Sequence, residues 1–174
     1  MPTKPQWTKQ LETLRACKEA VVWASQYPSL AEAWAVCERG DWMLWLVART
    51  MGNKLRSTLV LAACECARLA LPYVADGERR PLEAIETAEK WARGEAGITI
   101  ERVRSAAADA YAADAYAAYA AYAAAYAAYA AAYAAYTAAY AADAADDAGM
   151  ETLNKCAAIV RKYYLSAPQK TQEE

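Results

Sequence analysis

The sequence predicts an all-α fold, a multi-helix bundle with a long Ala/Tyr-rich helical segment. Three observations predict it. Helix start and stop signals recur through the first hundred residues, and the apolar residues between them keep helical spacing. Ala, the best helix former, supplies 47 of the 174 residues. No alternating strand pattern of useful length interrupts either half.

The elements follow in order. Pro28 and then Ser29-Leu30-Ala31-Glu32, an S-x-x-E capping box, divide a first helical stretch from a second. The first runs from Pro5 to about Gln26, the second from Ser29 to Arg39. Gly40-Asp41 reads as a stop followed by an N-cap, opening a helix over Trp42 to Met51. Gly52-Asn53 breaks again. Lys54 to about Leu71 then carries Leu55, Leu59, Ala62, Ala63, Cys66, Leu69 and Ala70 as one stripe, closed by Pro72 and the Ala75-Asp76-Gly77 turn. Pro81 at a first-turn position opens Leu82 to Ala96, with Leu82, Ile85, Ala88, Trp91 and Ala92 on one face. Gly94 and Gly97 end it. The expected organisation is a single domain: an N-terminal helical region 1–98, an Ala/Tyr-rich long helix or helical pair 99–148, a C-terminal helix 149–167 and a disordered tail 168–174.

Residues 106–148 contain only 28 Ala, 9 Tyr, 5 Asp and 1 Thr. Tyr119, Tyr122, Tyr126, Tyr129, Tyr133, Tyr136 and Tyr140 follow a 3-4-3-4 spacing, which places them on one helical face of about 100°. Tyr111 and Tyr116 fall near its edges, and the opposite side is almost pure Ala. Asp143 and Asp147 continue the stripe with carboxylates, where a dry seam would need apolar groups. That favours a wet Tyr face, phenols reaching solvent, and a closely packed Ala face. A helix from Thr99 to Ala148 would run about 75 Å, against a diameter of about 40 Å for a compact domain of this size. The helix therefore either projects and is covered by a partner, or breaks without a visible breaker.

Charge is divided. Residues 1–104 carry +2, residues 105–149 carry −5 with no Lys or Arg, and residues 150–174 carry +1. The late cluster, Asp143, Asp146 and Asp147, reads as a solvating cap ahead of a site for basic groups. The net charge of −2 gives no pull toward nucleic acid or an anionic membrane, and no nucleic-acid partner is expected. Residues 115–142 are uncharged, but Ala and Tyr make a soluble helix and no membrane span. The first residues lack an apolar run, so no secretory signal is expected. Cys17, Cys37, Cys64, Cys66 and Cys156 form an odd, scattered set, read as reduced and mostly buried thiols.

With no His, imidazole triads, Cys-His dyads and His-ligated zinc are excluded. On a helix Cys64 and Cys66 point about 200° apart and cannot clasp one metal ion. The six Gly are isolated, so no phosphate-cradling loop is present. No catalytic residue, cofactor or metal is expected, and the protein reads as non-enzymatic. The densest chemistry lies in Glu38-Arg39-Gly40-Asp41-Trp42-Met43-Leu44-Trp45, where Trp42 and Trp45 share a helical face continued by Arg49. Structurally this is a core anchor beside a capped turn. Functionally, Arg39, Trp42, Trp45 and Arg49 suit a protein partner or a planar ligand. Tyr119, Tyr122, Tyr126, Tyr129, Tyr133 and Tyr136 complete the candidate partner-binding set.

The blocks EAWAVCERGDWMLWL, LVLAACECARLALPYV, PLEAIETAEKWARGEA and NKCAAIVRKYY, with the Ala/Tyr tract between the last two, carry a resemblance. Together, over roughly residues 30–165, they resemble small all-α immunity proteins of bacterial polymorphic toxin systems and phages. The GDWMLWL block is the most specific part. The resemblance implies a cytoplasmic protein, in a bacterium or in the host of a phage, that neutralises a toxin or a defence component by binding it. Two alternatives stand beside it: a nucleotide sponge of a phage anti-defence system, and a structural protein that self-assembles through the Ala-rich helix.

The packed Ala face has a direct test. Ala124→Leu or Ala131→Leu should overpack the helix contact and cost about 1–3 kcal/mol, while Tyr129→Gln should cost well under that. Thermal melts of the three variants check the order, and the reverse order would put the phenols in the core.

Overall fold

A computed structural model describes residues 5–51, 56–74, 76–113 and 146–168. Among the described residues the chain forms eight α-helices and one short 3-10 turn, with no strand. They are α1 (Thr8–Thr13), α2 (Lys18–Ala24), α3 (Leu30–Val36), α4 (Gly40–Thr50), α5 (Arg56–Arg68), α6 (Arg80–Ala92), α7 (Ile100–Ala113) and α8 (Asp146–Tyr163). The fold is all-α, as the sequence predicts. Tyr119, Tyr122, Tyr126, Tyr129, Tyr133 and Tyr136, and with them the orientation of the Tyr stripe, lie outside the described residues.

α5 is the hub. It packs against α4, α6 and α8, while α7 lies against α6 and α8 against α4. Leu59, Val60, Ala62, Ala63, Cys64, Cys66 and Ala67 are all buried, so the helix is covered on nearly every side rather than along one stripe. Its small Ala and Cys side chains let three neighbours approach at once. Burial pushes the Cys64 thiol up. A hydrogen bond with Cys156 and burial do the same to Cys66, so both stay protonated and packed. Polar ties run along the rim of this packing. Arg68 donates two hydrogen bonds to Glu89 of α6, at 2.9 and 3.0 Å. Burial raises the Glu89 pKa, but the Arg68 bonds outweigh it and leave the carboxyl below its ordinary value. Glu65 accepts from Lys162 and Tyr163 of α8.

The sequence signals hold where they are local. Ser29 Oγ accepts from the Glu32 amide at the start of α3, the N-cap half of the box, and donates to the Glu32 carboxylate. Gly94 ends α6 with φ 73°, its amide bonding to the Trp91 carbonyl and the next amide to that of Lys90.

Two expectations are corrected. The stretch from Pro5 to Gln26 is two short helices, because Arg15 takes a left-handed conformation at φ 65°. The Arg15 amide bonds to the Glu12 carbonyl and the Ala16 amide to that of Leu11, the same helix-ending motif as at Gly94 but without a glycine. Gly40 is not a stop, nor is Asp41 an N-cap. The helix begins at Gly40 itself, and Arg39 precedes it without a side-chain cap.

The reason for Gly40 lies in α8. A Cβ there would meet the Cys156 Cβ and sit 2.6 Å from the Ala157 amide nitrogen. Only hydrogen fits between the two helices. Gly40→Ala should therefore force α4 and α8 apart and cost about 1–3 kcal/mol, read as a lower midpoint in urea unfolding.

Candidate functional site

The N-terminal helices wrap the outer face of α4. Met43, Leu44, Leu46 and Val47 of α4 are buried in the core, leaving Trp42 and Trp45 half-buried on the opposite side with Arg49 exposed beyond them. α1, α2 and α3 close over that side without filling it. The result is a cavity of about 560 Å³ whose lining includes Arg39, Trp42, Trp45 and Arg49. The structure thus brings together all four of the described residues that the sequence singles out.

Local geometry fixes these side chains. Arg39 donates to both carboxylate oxygens of Asp41, at 2.8 and 2.6 Å. The Asp41 hydrogen bonds hold the Arg39 pKa above its ordinary value. Held there, the guanidinium stacks 4.2 Å from the centre of the Trp42 ring. Arg49 lies 5.9 Å from the centre of the Trp45 ring. Trp23 of α2 packs on Trp42 with ring centres 5.8 Å apart and on Tyr27 at 4.8 Å. Cys37, also in the lining, has its thiol pushed up by burial, which favours the protonated form.

The sequence does not mark Trp23 or Arg15 and reads Cys17 only as one of five scattered thiols, yet all three line the same cavity. The Trp23–Tyr27 i, i+4 spacing was the available signal for the first, since two aromatic residues so spaced read as a packing face, although α2 ends at Ala24 and Tyr27 lies beyond it. Nothing local announces Arg15, whose place depends on the left-handed turn. Among the described residues, no group of three His, Cys, Asp or Glu side chains is placed to hold a metal ion. No helix among them is long and apolar enough to cross a membrane.

The Imm-5 like putative immunity protein family model matches residues 49–167, which is 119 of the 174 residues. The chain belongs to that family. No curated protein and no solved structure matches it. The span shared with the Imm-5 like family covers α5 to α8 and begins at Arg49, so the GDWMLWL block, read as the most specific part of the resemblance, precedes it. The family span is the packed body around α5. Most of the cavity is built by the 48 residues in front of it.

Those front residues are fastened to the body by three hydrogen bonds that run in both directions. Trp34 of α3 donates its indole N–H to the Tyr164 carbonyl at the end of α8, at 3.2 Å. Arg161 of α8 donates to the Cys37 carbonyl at 2.7 Å and the Trp34 carbonyl at 3.3 Å, satisfying the end of α3.

Asp41 holds Arg39 in its stack, so Asp41→Asn should weaken both contacts. The expected loss is about 1–2 kcal/mol. A shift in tryptophan emission should accompany it as Arg39 leaves the Trp42 ring, and an unchanged spectrum would show that the stack survives without the carboxylate.

Proposed function

We propose that the chain is a cytoplasmic immunity-type protein that neutralises a toxin by stoichiometric binding rather than by catalysis. The observation that carries this reading is the family match over residues 49–167. The site chemistry supports it. Trp and Arg are the residue types most enriched where binding energy concentrates, and here Trp42 and Trp45 stand half-buried beside the exposed Arg49. Arg49 favours a partner surface carrying carboxylates. Tyr119, Tyr122, Tyr126, Tyr129, Tyr133 and Tyr136 would add a second contact strip, since phenols offer apolar area and a hydrogen-bonding tip at low entropic cost. A phage-encoded inhibitor of a defence component would work through the same surface chemistry.

The test is protection. Cells expressing a toxin that this chain binds should survive when the chain is co-expressed. Purified toxin should lose activity in proportion to added chain, with inhibition complete at one chain per toxin. Arg49→Glu should weaken the complex about tenfold or more without moving the melting temperature. Complete protection at a small fraction of one equivalent would mean turnover and would overturn a binding mechanism.

A further inference from the structure

The cavity over α4 has the volume of a small-molecule site, about 560 Å³ within the usual range for such pockets. Its half-buried tryptophans differ from Trp34, buried in the same lining, and from Trp7 nearby. Trp7 and Trp34 use their indole N–H groups on the Tyr27 and Tyr164 carbonyls, which ties them to structure. Trp23, Trp42 and Trp45 line the cavity half-buried, and among the described residues no acceptor meets their N–H groups. Three aromatic walls with unspent donors form a lining that stacks a ring and also hydrogen-bonds it.

Charge at the mouth is unbalanced. Arg15, Arg39 and Arg49 reach the cavity against two carboxylates, Glu19 and Asp41. Asp41 is committed to Arg39 by its two hydrogen bonds. Arg15 and Arg49 then face the single carboxylate of Glu19, and among the described residues neither has a carboxylate within ion-pair distance. Arg15 also occupies a left-handed backbone position at φ 65°, which costs a side-chain-bearing residue about 1 kcal/mol or more relative to glycine. At the end of α6 the same turn is built with Gly94. A guanidinium is thus held at this cavity against the backbone's preference.

We propose that the cavity is a binding site for a small planar aromatic anion, with the ring among Trp23, Trp42 and Trp45 and the carboxylate or phosphate on Arg49 and Arg15. The ring answers the indole walls, and the anion answers the positive charge that the protein leaves uncompensated. A neutral aromatic would leave that charge unmet, and an aliphatic anion would leave the indole faces bare. The site shares Trp42, Trp45 and Arg49 with the surface offered above for a toxin, while most of its lining precedes the family span.

Titration calorimetry on the full chain with 2-naphthoate, and with 2-naphthamide as its uncharged counterpart, tests this. The expected result is saturable binding of one 2-naphthoate per chain with quenching of tryptophan emission, and 2-naphthamide about tenfold weaker. Arg49→Gln should lose that tenfold preference for the acid while binding the amide as before. Arg49 is exposed, so this variant keeps the fold. Trp45→Leu should weaken both probes, with its melting curve as the control for folding. The proposal is overturned by absent binding of 2-naphthoate, by equal affinity for acid and amide, or by undiminished preference in Arg49→Gln. Toxin protection by the unaltered chain is measured without either probe, so absent 2-naphthoate binding leaves the toxin reading standing and absent protection leaves this one standing.

Discussion

α4 touches α8 at Gly40, which carries no side chain to hold off Cys156 and Ala157, and the position of everything on α4 follows from that approach. With the two backbones this close, the turn of α4 that carries Leu44 and Val47 is driven into the core beside α5, and both residues are fully enclosed. The opposite side of the same helix is then fixed in direction, and it carries Trp42, Trp45 and Arg49. Helical periodicity turns one tight contact into the placement of three side chains a full helix width away. The small residues of α5 serve the same end, since bulkier side chains at Ala62, Ala63 or Ala67 would push its neighbours outward and loosen the contact.

Body and front divide the labour in this molecule. The family span supplies a helical core whose ion pairs sit on its rim, where Arg68–Glu89 and Lys162–Glu65 join helices already held by apolar packing. The front supplies short helices of six or seven residues, too short to persist alone. They gain their order from what they cover. Leu11, Val21, Ala24 and Trp34 join the same apolar cluster as α4 and α5. A cavity over α4 is what remains when three short rods wrap a fourth without enough bulk to fill the gap.

What was legible in the sequence was local or periodic. The Ser29–Glu32 box and the Gly94 terminus are read from neighbours in the chain, and both stand in the structure. The Trp42–Trp45–Arg49 face was legible because i, i+3 and i+7 share a side of any helix. Gly40 was misread because its signal has two meanings. As punctuation it ends a helix; here it yields space to a helix more than a hundred residues away, and no local pattern separates the two. The break at Arg15 was hidden for the complementary reason, since a left-handed turn without glycine leaves no mark in composition. Trp23 was passed over because its partner, Trp42, lies on a different helix, and tertiary packing alone brings the rings together.

The paired bonds between α3 and α8 join residues 34 and 164, a separation of 130 positions. That distance concerns how the chain acquires its shape. Contacts of such long range are formed late, because the closure entropy of the intervening loop must be met before they repay it. α5, α6 and α7 are sequence neighbours that pack pairwise, so they can assemble from short-range encounters. α3 has to wait for α8. The cavity walls therefore settle only once α8 has arrived, and on a ribosome the front of the chain would wait through more than a hundred residues for its closing partner.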